Sequence, residues 1–410
     1  QTRDFLARFD ALVIRTLCTI IGVSRLSANA LTQTKLKISL GGLGLRAAMD
    51  FAVQARISSI STSATLARLQ MRDPLPQNAT SVDAATLVDD GEADDLIQMH
   101  NARVPPAEHL DRSTLDLGLK QERLSRPIDD QLADDFYASL NPADQARLYS
   151  QRDPLSYIWL LQRPNEEAGT AIPTLEFPIA ILFWLGEIQK YGGPCAYCQT
   201  ELDPLGTHAT GTCRHGRHVS RHYQTVRVIK NFMGEWNIKA QTETPHIFGP
   251  ADRRRPADLS LPRVLSEAIF APLPLLINPT CPSYLPQTAQ EGGYAAQLRE
   301  DDKLEKYSAL CTQHHIDFEP LALEVYGRTT ARGMNTLKEL VRYAVTHSNA
   351  EMPQTVINWQ FHQLKARLCV TLLRQNVDMI LRCCNYRSDH PDDQVDPLEH
   401  QERELDYLDA

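Results

Sequence analysis

The feature that most constrains this chain is a run of sulfur and imidazole ligands between residues 195 and 222, CAYCQTELDPLGTHATGTCRHGRHVSRH. Cys195 and Cys198 form a CxxC turn, which puts two thiolates on one edge of a tetrahedron. His208 and Cys213 follow in a short loop and supply the other two corners. A closed set of four such ligands predicts a structural Zn²⁺ site, because zinc favours tetrahedral sulfur and nitrogen donors. His215, His218 and His222 come close behind, and His215 with His218 would also complete a CCHH set. The preferred reading closes the site with His208 and Cys213. The later histidines then share a helix face with Arg214, Arg217 and Arg221, and a helix over 219–231 carries the basic face on to Arg227.

The remaining cysteine count argues the same way. Nine cysteines in 410 residues are too few for a disulfide scaffold, and no signal peptide opens the sequence. The expectation is a reducing compartment, nuclear or cytoplasmic, and not a secreted protein. The longest apolar run, FPIAILFWLG at 177–186, lies between Glu176 and Glu187. It is too short to span a bilayer and predicts a buried helix, so no membrane association is expected. No small-molecule substrate is expected either.

The net charge of −9 conceals its own distribution. Residues 73–135 carry 15 acidic against 5 basic side chains, and 389–410 carry 9 against 1. Residues 1–72 hold 10 basic and 3 acidic, and 213–263 hold 10 and 4. A polyanion would meet those two basic segments, which include Arg253, Arg254 and Arg255.

The predicted architecture is mainly α with a small α/β domain. Residues 1–72 read as helical, with Phe5, Leu6, Phe9, Leu12, Val13 and Leu17 at helical spacing. A glycine turn at GGLG (41–44) should let two backbones approach closely, and helical periodicity resumes over 46–60. Residues 73–135 read as an acidic, mobile surface insertion and 136–190 as a helical linker. The knuckle and basic helix occupy 191–232, the α/β core 233–330, two helices (at 333–347 and 358–382) fill 331–388, and an acidic tail ends the chain at 389–410. The sequence opens on Gln1, already inside a helical pattern, which reads as a piece of a longer protein.

Within the α/β core, Asp258 starts an alternating stretch, PLPLLI (272–277) reads as a second strand, and AAQLREDDKLEKYSAL as a helix presenting Lys303, Lys306 and Tyr307. PLALEVYG (320–327) closes as a further strand. Strand, strand, helix, strand, with an Asp on one strand and a Lys nearby, suits metal-dependent phosphodiester hydrolysis. In that chemistry carboxylates hold Mg²⁺ and a lysine offsets transition-state charge.

Taken in order, GGLGLR, LDPLGTH, the helix opened by RH, RPADL, KLEKY and PLALEVYG resemble one family. It is the C-terminal part of reverse transcriptase-like proteins encoded by non-LTR retrotransposons with a restriction-like endonuclease. The resemblance covers 1–65 as the end of the polymerase thumb and linker, about 140–345, and more loosely 358–382. It implies a CCHC zinc knuckle before a nuclease of the PD-(D/E)xK class that nicks target DNA. The polymerase then extends the nick on element RNA, so DNA and RNA are the implied partners. By this resemblance Cys195, Cys198, His208 and Cys213 are the zinc ligands, and Asp258, Lys303 and Tyr307 the catalytic set. The polymerase palm is not in this chain; no YxDD-like motif occurs, and no polymerase activity is expected.

One element departs from the family. Its strand reading roughly F-D-V-T-V-T-S-P supplies a second acid, whereas LLINPTCP here puts Leu276 at that position and Pro279 in the strand. Glu267 or Glu324 would have to substitute, because a hard divalent cation needs more than one carboxylate. Three functions therefore stand side by side: a DNA endonuclease, a catalytically dead nucleic-acid-binding module, and a zinc-stabilised protein-interaction scaffold.

Overall fold

The computed structural model describes residues 2–70, 90–188, 192–242, 248, 258–262, 269–348 and 353–384. The described chain is mainly helical and divides into two compact units. One comprises 1–20 and 24–140, and the other 21–23 and 141–410.

In the first unit, α1 (Thr2–Ile20) and α3 (Ala48–Gln70) fall on the two stretches of helical periodicity, and a short α2 (Ala28–Lys35) that the periodicity did not mark lies between them. Asp10 of α1 accepts from the free N–H groups of Ala48 and Met49, at 2.8 and 3.1 Å, and so caps α3. The glycine turn is as tight as its composition implies. A Cβ on Gly42 would lie 2.1 Å from the Leu36 carbonyl oxygen, and Gly41 and Gly44 both have positive φ. The apolar stripe of α1 is buried only at its last turn, at Leu17, while Phe5 is 67% exposed.

Residues 90–135 differ from the mobile insertion their acidity suggests. They form α4 (Asp90–Asn101) and α5 (Gln121–Ser139), joined by short 3₁₀ turns. Ala93, Leu115, Leu119 and Leu124 bury themselves against Ile57 and Ile60 of α3, and Ser61 accepts the Leu119 N–H at 2.7 Å. The charges stand on the outer faces, while Asp129 is buried against Lys37 at 2.9 Å and Arg46 at 2.7 Å. An apolar residue every few positions was enough to build a packed face beneath an acidic surface. Residues 24–70 and 90–135 are thus parts of one unit.

The second unit begins with α6 (Pro142–Gln151), α7 (Ile158–Leu161) and α8 (Phe177–Leu185). The last is the expected buried helix, enclosed from Ile179 to Leu185. Then come α9 (His218–Glu235), β1 (Gln241–Thr242), β2 (Leu259–Pro262), β3 (Ile269–Ile277), α10 (Leu285–Thr288), α11 (Tyr294–Gln313) and β4 (Ile316–Glu324). Two helices, α12 (Ala331–Ser348) and α13 (Gln354–Cys383), end the described chain.

The strands form a sheet of order β1-β2-β3-β4, antiparallel as far as β3, with β4 parallel to β3. A parallel neighbour needs a crossover, and α11 supplies it. Strand alternation sorts β4 into two faces. Leu321 and Leu323, with Leu259 and Leu261 of β2, pack on α9, α12 and α13. Ile316, Phe318 and Ala322 pack on Ala296, Tyr307 and Cys311 of α11. The sheet is therefore covered by helices on both sides, and the strand, strand, helix, strand order read from the sequence is present.

Candidate metal centre and the Asp258 cluster

The knuckle is built by local hydrogen bonding. The Cys195 N–H donates to the Thr200 carbonyl at 2.8 Å and the Gln199 N–H to the Cys195 carbonyl at 2.9 Å. Gln199 takes positive φ to close the turn. Asp203 then gathers three backbone donors, Leu205 and Thr207 on Oδ1 and His208 on Oδ2, at 2.7–3.0 Å. From there the chain enters one π turn, His208–Thr212, whose wider i→i+5 ring, closed by the Cys213 N–H on the His208 carbonyl, brings Cys213 back to the CxxC edge. Thr210 and Thr207 anchor this turn to Asn278 and Thr280, at 2.9 and 2.7 Å.

The ligand atoms of Cys195, Cys198, His208 and Cys213 all lie within 4.8 Å of one another. The Cys195 and Cys213 sulfurs are 3.9 Å apart, and the Cys198 sulfur is 3.2 Å from His208 Nε2. Two thiolates at tetrahedral angles about zinc would stand about 3.8 Å apart, given a Zn–S bond of about 2.3 Å. His208 Nδ1 sits 3.4 Å from the Thr212 hydroxyl, which fixes the ring with Nε2 inward. Hydrogen bonding to Thr200 brings the Cys198 thiol down to about 6, so a thiolate is available at neutral pH. Burial, opposed by a hydrogen bond from the His215 backbone and reinforced by Cys195, pushes Cys213 up to about 11. Three thiolates this close would repel one another without a cation, and soft donors in this geometry fit a structural Zn²⁺.

The geometry also decides between the alternative ligands. His215 is exposed, and His218 puts its Nε2 3.0 Å from the Cys213 carbonyl. Burial, with Arg221 adding to it, holds His218 down to about 4, so it is neutral and can donate from Nε2 to that carbonyl. His218 thus braces a ligand instead of serving as one.

Among the arginines predicted to face phosphate, the structure separates two kinds. Arg214 and Arg227 are exposed, and Lys230, three residues beyond Arg227 on α9, is exposed beside it. Arg221 is not part of that surface. It is 2% exposed, and its Nη1 donates to Asn376 Oδ1 of α13 at 2.8 Å. The α9 face that carries Arg221 is the face packed on α13, which a helical wheel of α9 alone does not reveal. Arg217 is half-buried and lies 3.9 Å from Asp378. Arg253, Arg254 and Arg255 lie outside the described residues, as do Glu267 and the tail from 385 onward.

Asp258 stands just ahead of β2, and three segments meet at it. Its Oδ1 is 3.2 Å from His222 Nε2 on α9, and its charge reaches Lys303 on α11. Asp258 is 8% exposed, and its Oδ2 is buried with no hydrogen-bond partner among the described residues. Burial lowers the Lys303 ammonium, as does Lys306, while Asp258 draws it back up. Tyr307 lies under both lysines, 5.8 and 5.4 Å from its ring, and packs edge-on to Phe318 in the core. His222 belongs to this cluster although the sequence reading placed it on a solvated helix face.

No second carboxylate joins it among the described residues, where the sole metal-competent group is the CCHC set. Leu276 packs with the α9–α12–α13 core. Glu324 is fully buried at the far end of β4, where burial pushes its carboxyl up to about 7 and its neighbours are Ser150 and Arg328. One carboxylate, one imidazole and one ammonium do not make a Mg²⁺ site. No known protein-family model matches the chain, and no curated protein matches it. Among the described residues, no helix is long and apolar enough to cross a membrane.

Proposed function

We propose that this chain is a nucleic-acid-binding region of a non-LTR retrotransposon protein with a restriction-like, PD-(D/E)xK-type endonuclease core. It would act on target DNA and element RNA in the nucleus or cytoplasm. The observation that carries this reading is the buried Asp258 just ahead of β2 in a β–β–α–β sheet, 3.2 Å from His222 of α9 and within electrostatic reach of Lys303 of α11. The zinc knuckle supports it by setting the start of α9, whose exposed Arg227 and Lys230 offer cations to a phosphate backbone.

A second reading, binding without cleavage, is favoured by the packing of Leu276 where the family carries an acid. Two measurements on the purified chain separate the readings. DNA affinity should fall about 10- to 100-fold between 50 and 200 mM salt if about three phosphates are neutralised, and Arg227→Glu with Lys230→Glu should flatten that slope. A salt-independent or absent interaction removes both nucleic-acid readings and leaves the zinc-stabilised scaffold. Plasmid nicking in Mg²⁺ that disappears in Asp258→Ala supports the endonuclease. Wild type and variant equally inert leave the binding module.

A further inference from the structure

A fifth sulfur stands at the knuckle. Cys383, in the last turn of α13, is completely buried, and its thiol interacts electrostatically with those of both Cys195 and Cys213. Its backbone is engaged as well. The last carbonyls of a helix have no partner within it, and the Cys383 carbonyl accepts the N–H of Ala196, inside the CxxC turn, at 2.8 Å. The π turn that carries His208 also packs on α13. The end of the helix is thus joined to the metal loop through main chain and side chain together. The four atoms that share a 4.8 Å sphere do not include the Cys383 sulfur, so the tetrahedron is complete without it.

We propose that Cys383 is an outer residue of the metal centre: its buried thiol donates its S–H to one of the ligand sulfurs beside it, Cys195 or Cys213, and ties metal retention to the docking of α13. This rests on the zinc reading of the CCHC set. A thiolate that accepts an outer hydrogen bond is oriented by it, and loss of such partners commonly costs 10- to 100-fold in metal affinity. Cys383 is a positioning residue in this scheme and touches no metal.

The test compares the full chain with Cys383→Ala, Cys383→Ser and Cys369→Ala, the last a matched truncation farther up α13. Zinc content is measured first, then the rate of zinc transfer to a chromogenic chelator, then the thiolate-to-metal charge-transfer band of the Co²⁺ form. The expected result is one zinc per chain throughout and the same three-thiolate band intensity. Zinc release should be about 10-fold faster in Cys383→Ala, partly restored in Cys383→Ser, and unchanged in Cys369→Ala. Equal release from wild type and Cys383→Ala overturns the inference and leaves the zinc site standing. A band reduced by one thiolate in Cys383→Ala makes Cys383 a direct ligand and also overturns it. A wild-type chain that holds no zinc overturns the zinc reading itself, and the inference with it.

Discussion

Asp203 shows how much a single side chain does at the knuckle. Its carboxylate accepts three backbone N–H groups that open the π turn, and without it His208 loses its fixed approach to Cys198. Asp203→Ala should cost about 2 kcal/mol, in the range of lost helix caps, and should speed zinc loss to a chelator. Unfolding in urea with and without zinc measures both. Gly42 poses a steric problem instead. The Leu36 carbonyl occupies the space a methyl group would need, so Gly42→Ala should destabilise the first unit by about 1–3 kcal/mol. An unchanged urea midpoint would show that the turn can open.

The residue scale is also where the sequence was most and least legible. The zinc ligands could be read because their spacing is local: four donors within one short loop constrain each other without help from the rest of the fold. His222 and Arg221 could not. They are adjacent on α9, yet one meets Asp258 and the other Asn376. Which of two neighbouring polar residues turns inward depends on what packs against the helix, and that partner arrives far downstream. Cys383 was missed for the same reason, since its closeness to Cys195 exists only once α13 has docked.

Elements were legible where their apolar period was uninterrupted. In the second unit β3 and β4 overlap the strands read at 272–277 and 320–327 but each begins several residues earlier, and α11, α12 and α13 cover the helices read there. Residues 90–135 are less legible, because their acid excess masks the sparse leucines that pack on α3. At this scale β4 carries a pH effect. Its last residue, Glu324, has a buried carboxyl held up to about 7, above its unfolded value, so the folded state binds more protons between those two values. Stability from this group is greatest below the unfolded carboxyl range, declines as pH rises toward 7, and is lost beyond it. Glu324→Gln, which stays neutral, should therefore raise Tm relative to wild type more at pH 8 than at pH 5. A difference independent of pH would mean that the carboxyl is charged throughout.

On the scale of the whole molecule, the two units make different demands on metal. Every ligand of the knuckle lies in the second unit, whereas the first depends on the α3, α4 and α5 packing and on the buried Asp129 pairs. Chelation should expose amides to hydrogen exchange around 195–235 and the end of α13, and leave α3 and α5 protected. Equal loss of protection in both units would contradict that separation.

The long reach of α13 also bears on how the protein is made. Cys369 hydrogen-bonds to the Ser156 carbonyl across 213 residues, and Arg221 to Asn376 across 155. A ribosome delivers the chain from its N-terminus, so α6 to α9 and the sheet emerge well before the helix that completes their packing. Until α13 leaves the exit tunnel, the apolar faces of α9 and α12 stand open and Arg221 lacks its Asn376 acceptor. The second unit therefore completes its packing only once α13 has been made, and until then it is exposed to chaperones and to misassociation.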